Sequence, residues 1–529
     1  MNWKSTSVKY FNVAGPCIEG EHYMIDAIER LRDDLAELIS KNQYFVIHAA
    51  RQTGKTTLLL NLRDKINAEG KYYALYCSLE NVQSFPNPEQ GIPAIINCLK
   101  TDIRYSQLPN KLDFAKDLDG IDVANQIRAA ITDFCVSLDK PLIIFFDEAD
   151  CMGEHTLITF LRQLRNGFVN RGSIPFPISI ALVGMRNIRD YKAKIREDRE
   201  TLGTASPFNI ITKSLTLRNF SKEEIEFLYQ QHTDETGQIF EKNAVNFAFE
   251  QTQGQPWLVN AIAREVVMEQ LKNDYSRAVT AEMIAEAIQT IILRRDVHID
   301  QLLDKLKETR VQNVIEQMII GEGENIDTLS DDYNYVKDLG LIRENGRMIE
   351  FANPIYAEVI IRMLNVNEQR TLTGDVRFSA YEMPKYYKND SVDMSLMLQD
   401  FQQFWRENSD VWQERFQYKE AAPHLILQAF LQRVFNGGGD VRREMATGKN
   451  RLDLCIEYNN KKYPVEIKIN RGKQSMERGI EQIAGYMDTL GCAEGWLVAF
   501  DRDDKKSWDE KIYQKTETVN GKTVHIFGC

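Results

Sequence analysis

No CxxC pair occurs among the eight cysteines, and no HExxH or similar spacing among the seven histidines. Zinc-ribbon and zincin patterns are therefore missing, and a secreted disulfide scaffold would be far denser in cysteine. The thiols are expected to be reduced and mostly buried. No apolar run approaches the ~20 residues that a membrane-spanning helix needs. The longest, such as residues 142–146, have the length of a strand. The opening Met-Asn-Trp-Lys-Ser-Thr lacks the apolar segment of a signal peptide, so a cytoplasmic location without a membrane partner is expected. Repeats and low-complexity tracts are also missing. A formal net charge of −12 leaves no basic field over the whole chain. One basic face would still suffice for nucleic acid. Residues 436–478 collect such charge, with ten Lys and Arg (among them Arg442, Arg443, Arg471 and Arg478) against six acids.

What is present reads as a multidomain α/β chain. At roughly 100–200 residues per domain, 529 residues leave room for about three or four. Residues 1–215 alternate strands with helices. Apolar runs at 44–48, 72–76, 142–146 and 178–183 have the continuous β-rich character of strands buried in a parallel sheet. Residues 216–300 carry helical spacing at 222–231, 244–250, 256–268 and 281–293, a helical lid. Residues 301–365 pass from short helices to a hairpin with Asn345-Gly346 at its turn, the order of a winged helix. Residues 366–395 are polar and predict a linker. The last domain, 396–529, begins with helices. It predicts strands at 452–457, 463–467 and 495–500 and a helix at 476–490.

Ala49-Ala50-Arg51-Gln52-Thr53-Gly54-Lys55-Thr56, followed by Thr57, fits the Walker A phosphate loop except that Ala49 stands where Gly is usual. Such a loop offers backbone N–H groups and a helix N-terminus to phosphate oxygens. Lys55 is expected to reach the β- and γ-phosphates of ATP or ADP, and Thr56 to hold Mg²⁺. Leu142-Ile-Ile-Phe-Phe-Asp147-Glu148 has the form of Walker B. Asp147 would serve the Mg²⁺ shell and Glu148 would polarise the attacking water. An additional strand is expected between the two motifs. The 178–183 strand ends in Met185-Arg186-Asn187, and Arg186 or Asn187 at its tip is a candidate γ-phosphate sensor.

The order of NTPase core, lid and winged helix resembles STAND-type and archaeal AAA-like ATPases over about residues 8–365. The Arg186 strand tip, Gly254-Gln-Pro-Trp257 and the 301–365 segment carry that resemblance. It implies that Pro256 packs against adenine and ribose, and that Asn12-Val-Ala-Gly15-Pro16 wraps the base. It also implies nucleotide-dependent homo-oligomerisation and a signalling or antiviral defence role.

A second constellation lies near the C-terminus. Asp453 closes a Gly448-x4-Asp motif. After twelve residues comes Glu466-Ile467-Lys468, and strand alternation puts Glu466 and Lys468 on one face. Asp453, Glu466 and the Ile467 carbonyl could hold Mg²⁺, with Lys468 positioning water. Gln482 and Tyr486 share a helix face four residues apart. This set resembles PD-(D/E)XK nucleases, most closely the RecB-like group. The resemblance makes DNA the expected partner and adds Glu420 or His424 as candidate acid or His from the first helix. His424 also reads as a packed helix residue. The combined reading is an ATP-regulated, metal-dependent DNA nuclease. The alternative is an ATP-dependent DNA-binding switch whose nuclease fold does not cut. A DNA-translocating motor ranks last, because paired helicase domains are not evident.

Overall fold

A computed structural model describes residues 8–31, 35–83, 85–185, 207–294, 296–319, 326–346, 348–360, 386–388, 391–415, 422–435, 440–447, 450–470, 472–501, 503 and 505–529. Arg186, Asn187, Glu420 and Gly448, all singled out above, lie outside the described residues. Two compact units form. One comprises Met1–Leu302, Asp327–Asn345 and Glu350–Ala357, the other Leu303–Ile326, Gly346–Ile349 and Glu358–Cys529.

The first unit is built on a parallel sheet of β1 (Tyr44–His48), β2 (Tyr73–Ser78), β3 (Leu142–Asp147), β4 (Ser179–Gly184) and β5 (Ile211–Thr216), in the order β2-β3-β4-β1-β5. β4 therefore stands between the strand that enters the phosphate loop and the strand that ends in Asp147, where the additional strand was expected. Parallel neighbours need crossovers, and helices supply them. These are α2 (Lys55–Glu69), α3 (Pro88–Tyr105), α4 (Val123–Ser137) and α5 (Glu154–Asn170), preceded by α1 (Leu35–Ser40). Every residue of β1, β3 and β4 is buried, because both sheet faces are covered. Tyr44 and Val46 point into the core under α3, α4 and α5. Phe45 and Ile47 point to the face covered by α1 and α2.

Four further helices follow: α6 (Lys222–Thr236), α7 (Lys242–Thr252), α8 (Pro256–Arg264), continued by a π-helical turn at Glu265–Gln270, and α9 (Ala281–Arg294). Ser221 caps α6 in a reciprocal box with Glu224. The lid expected as a separate domain belongs to the same compact unit as the sheet. The physical reason is a shared aromatic core. Phe11 and Tyr23 of the N-terminal segment pack on Tyr229, His232 and Phe240, and Tyr23 donates to Glu235 at 2.8 Å. Next come α10 (Val297–Lys305), α11 (Thr309–Ile319), α12 (Asp331–Asp338) and the hairpin β6 (Ile342–Asn345) and β7 (Met348–Phe351). Residues 301–365, expected as a winged helix, are divided between the two units.

In the second unit a six-stranded mixed sheet has the order β10-β11-β12-β13-β15-β14. Its strands are β10 (Asp440–Thr447), β11 (Asn450–Tyr458), β12 (Lys461–Ile469), β13 (Glu494–Phe500), β14 (Tyr513–Val519) and β15 (Lys522–Gly528). α13 (Met394–Arg415) and α14 (Ala422–Phe435) cover one face, packing on Leu454, Ile456, Val465 and Ile467. α15 (Lys473–Leu490) covers the other, packing on Cys455, Leu497 and Ile526. The stretch expected as a linker to residue 395 already contributes to this core. Tyr386 and Val392 are buried in it, β8 (Tyr387–Lys388) pairs with β9 (Ser391–Val392), and the Val392 N–H donates to the Tyr463 hydroxyl at 2.9 Å. Among the described residues no helix is long and apolar enough to cross a membrane.

Candidate functional sites

The first site sits where β1, β3 and β4 end. The chain leaves β1 through Gln52 (φ 55°) and Gly54 (φ 92°), left-handed residues that curl it around before α2 begins. No side chain caps α2 at Gly54, which leaves its first N–H groups open to an anion. Lys55 is buried and donates to the carbonyls of Ala49 and Ala50, each at 2.9 Å. Burial lowers its pKa, opposed by Glu148 and Asp147 nearby. Thr53 closes the loop by donating to the Ala50 carbonyl at 2.8 Å. Opposite, the Thr56 hydroxyl donates to Asp147 Oδ2 at 2.7 Å. Glu148 holds a left-handed backbone (φ 54°), its N–H on Asp147 Oδ1 at 3.0 Å. Burial raises its carboxyl pKa, and Asp150 adds to the rise. The hydroxyl and carboxylate oxygens of Thr56 and Asp147 are the hard donors that a small divalent cation takes.

Asn12, Gly15 and Pro256 come together at one side of this loop. Asn12 folds its own segment by donating to the Gly15 carbonyl at 3.2 Å. The Cys17 N–H reaches the Thr57 hydroxyl at 3.0 Å. Trp257, next to Pro256 at the start of α8, donates from Nε1 to the Val13 carbonyl at 2.9 Å. The N-terminal segment is thereby bonded to both the phosphate-loop helix and the lid. Gly254 (φ 74°) makes the turn before α8 possible, since a Cβ there would lie 1.9 Å from the Phe220 carbonyl oxygen.

The second cluster occupies the α15 side of the C-terminal sheet. The β11–β12 ladder runs from Tyr458↔Lys461 to Leu454↔Val465 and stops. At the next position the Asp453 carboxylate, Oδ2, accepts the Ile467 N–H at 2.8 Å. A side chain thus takes the place of a ladder bond, and the strands part there. A strand residue's N–H and C=O face the same edge, so the Ile467 carbonyl faces the opening too. Lys468 donates to Glu466 Oε1 at 2.8 Å. Glu466 is 1% exposed, and among the described residues no group hydrogen-bonds its Oε2. Burial pushes the Glu466 carboxyl up to about 8, with Asp453 adding to the rise and Lys468 opposing it. Burial likewise raises Asp453. For Lys468, burial works against the charge, but Glu466 and Asp453 overcome it and its pKa rises. α15 comes close above this face, because a Cβ on Gly479 would lie 3.1 Å from Lys468 Cγ. Tyr486 is buried on the same side, where burial and the two carboxylates raise its pKa, and Gln482 is half-buried one turn away. His424 is buried in α14, on the opposite face of the sheet. No group of three or more His, Cys, Asp and Glu forms a metal cage among the described residues. Two carboxylates, one of them with a buried oxygen still to be satisfied, and a carbonyl do suit a hard cation that keeps water ligands.

Comparison with known families places the N-terminal region. An AAA-like domain matches residues 23–360, more than half of the chain. The chain belongs to the AAA-like domain family. Its N-terminal region is therefore an AAA-like P-loop ATPase, and ATP is the nucleotide such a domain binds and hydrolyses. A second match, described only as a domain of unknown function, covers residues 395–504. Among solved structures, a Walker-type ATPase of Pyrococcus abyssi is 16% identical, covers 66% of this chain and 99% of that one, and has a TM-score of 0.46. The RuvB Holliday junction branch migration motor of Thermotoga maritima is 12% identical, over 61% of this chain and 90% of that one, at 0.33. Cdc6p from Pyrobaculum aerophilum is 13% identical, over 60% and 88%, at 0.32. No curated protein matches.

Three contacts of the AAA-like region were invisible in the sequence because each joins residues far apart. Arg30 is buried, with Nη2 on the Thr53 carbonyl at 2.8 Å and Nε on the Arg218 carbonyl at 3.0 Å, tying the phosphate loop to the entry of the lid. Asp150 accepts the Met185 N–H at 2.9 Å and so fixes the tip of β4 to the turn after Glu148. Gly340 (φ 75°) packs on the phosphate loop, since a Cβ there would lie 2.5 Å from Ala50 Cβ. For Arg30 the consequence is measurable. Arg30→Met keeps the bulk but strands one buried and one part-buried carbonyl. It should lower unfolding free energy by about 3 kcal/mol, read as a lower urea midpoint at unchanged slope. A midpoint within error of wild type would show that the clamp contributes nothing.

Proposed function

We propose that this AAA-like ATPase governs a metal-dependent DNA phosphodiesterase carried on the same chain, with Asp453, Glu466 and Lys468 at its centre. The observation that carries the reading is Glu466. A buried carboxylate with one oxygen on Lys468 and the other unmet is costly, and a divalent cation beside Asp453 and the Ile467 carbonyl would offset that cost. In the ATPase centre Lys55 binds the β- and γ-phosphates, Thr56 and Asp147 hold the cation, and Glu148 orients the attacking water. Asn12, Gly15 and Pro256 border the base and ribose. A bound Mg²⁺ supplies charge neutralisation on phosphate oxygens at each site. At the second site Lys468 positions the water that attacks phosphorus, while Gln482 and Tyr486 orient the backbone of the strand being cut. The hairpin of β6 and β7 is a further candidate DNA reader.

The test is direct. Purified protein is incubated with supercoiled plasmid, linear duplex, single strands and RNA, each with EDTA, Mg²⁺ or Mn²⁺, and with or without ATP. Cation-dependent breaks in DNA, with a rate that changes with nucleotide, are expected. DNA bound but uncut under every condition would overturn cleavage and leave a nucleotide-dependent DNA-binding switch.

A further inference from the structure

The phosphate loop has its carbonyls bonded from within the protein. Lys55 donates to those of Ala49 and Ala50, and Arg30 Nη2 donates to that of Thr53 at 2.8 Å. No cis peptide occurs among the described residues, so the Thr53–Gly54 peptide is trans. The C=O and N–H of a trans peptide point in opposite directions. Arg30, on the carbonyl, therefore stands on the far side of the loop from the Gly54 N–H. Its guanidinium lies close against the loop, since a Cβ on Gly54 would come 3.3 Å from Nη1. Other contacts fix the guanidinium in turn. Nε and Nη2 donate to the Arg218 carbonyl at 3.0 and 2.6 Å, and the group lies over the Phe220 ring, 4.7 Å from its centroid. Burial lowers its pKa to about 10, against the pull of Glu224, which leaves it charged at neutral pH. Among the described residues no carboxylate forms an ion pair with it. Glu224 gives its two oxygens to Arg218 instead, at 2.6 and 2.8 Å.

We propose that Arg30 is a positioning residue for the phosphates of the nucleotide: from behind the loop it sets the Thr53–Gly54 peptide so that the Gly54 N–H faces them. This rests on the reading of residues 49–56 as the loop that takes the phosphates. A peptide that ends in glycine turns over easily, because glycine accepts either sign of φ. Turned over, this one would aim a carbonyl at the phosphates. The Arg30 bond holds the orientation that aims the N–H instead. A cation on the carbonyl also polarises the peptide and strengthens its N–H as a donor. Finally, a buried cation without a carboxylate is costly. A polyphosphate on the other side of the loop supplies the missing negative charge.

Full-length Arg30→Met and Arg30→Lys are titrated by calorimetry with ADP and with pyrophosphate, at a temperature where circular dichroism shows them folded. Both ligands are used in EDTA, so that no cation site contributes. Lys55→Ala serves as reference. Pyrophosphate reads the loop without the contacts to base and ribose. In Arg30→Met both ligands are expected to bind about tenfold more weakly. Arg30→Lys keeps the cation and gives up the fork, so a smaller loss, about threefold, is expected for both. Should Arg30→Met not fold, Arg30→Lys decides alone by the same readings. A clamp that serves stability only would lower the urea midpoint and leave both affinities at the wild-type value. That result, with a loss in Lys55→Ala, overturns the positioning role and leaves the phosphate loop standing. A loss for ADP without one for pyrophosphate traces to the base and the lid, and also overturns the proposal. Wild-type affinity for both ligands in Lys55→Ala removes the phosphate loop itself.

Discussion

Lys55→Ala is expected to weaken ATP binding at least about a hundredfold, or about 2.7 kcal/mol. The ammonium sits buried on two carbonyls of its own loop. It has given up water in advance, as its lowered pKa records. A triphosphate arriving there meets a desolvated cation whose orientation is already set, and charge-assisted bonds are strongest in such surroundings. Alanine leaves the loop amides and the α2 terminus to hold the phosphates alone. Glu148→Gln should separate binding from chemistry. Its amide is nearly isosteric, so ATP affinity should stay within about threefold, while turnover falls about 10²–10⁴-fold with the loss of general-base character. Calorimetry and a phosphate-release assay read the two. Wild-type affinity in Lys55→Ala would mean that the nucleotide lies elsewhere, and full turnover in Glu148→Gln would remove that residue from the chemistry.

Parts of this centre that are local in sequence could be read from it. β1 runs Tyr44–His48 and β3 Leu142–Asp147, essentially where continuous apolar runs placed them. Their residues need no partner information, because a strand buried on both faces is apolar throughout. β5 was missed for the complementary reason. It is an edge strand, Ile-Thr-Lys-Ser-Leu-Thr, with Leu215 as its buried residue, and so it carries no apolar run. β14 likewise lies at the sheet edge, and its Gln514, Lys515, Thr516, Glu517 and Thr518 are exposed. β10 and β15 were also not foreseen, though the registers that hold them are regular. Arg30, Asp150 and Gly340 show a second limit. A lone arginine has no spacing to betray it. Its role comes from a partner 188 residues away. At the C-terminal cluster the pattern of Asp453, Glu466 and Lys468 was legible. The parting of β11 from β12 that opens the cluster was not, because it depends on one side chain replacing one ladder bond.

That replaced bond is what makes the C-terminal variants informative. Asp453→Ala would delete the acceptor for the Ile467 N–H as well as a charge, and a dead protein could then mean a disturbed sheet. Asp453→Asn keeps a carbonyl oxygen that can accept the same N–H and removes only the charge. Glu466→Gln likewise keeps an acceptor for Lys468 in a buried position of unchanged volume. Both variants should fold with thermal midpoints near wild type. If Asp453 and Glu466 hold the cation, each should lower DNA cleavage about 10³-fold or more, because a neutral amide is a poor ligand for a hard cation. Lys468→Met keeps the stem that packs beneath Gly479 and removes the ammonium. It should slow cleavage to a similar degree. DNA affinity should stay within about threefold in all three variants, since phosphate contacts come from basic residues outside this cluster, and it should fall as salt rises. Removing Lys468 also bears on Glu466, whose buried carboxylate would then lack its ion pair and take up a proton more readily. Lys468→Met is therefore expected to show its largest defect at neutral pH and below and to recover partly as pH rises. Such a recovery in Lys468→Met, together with flat, near-zero cleavage in Glu466→Gln, would separate loss of the water-positioning group from loss of the cation ligand. Cleavage at wild-type rates in both Asp453→Asn and Glu466→Gln would place any nuclease activity outside this cluster.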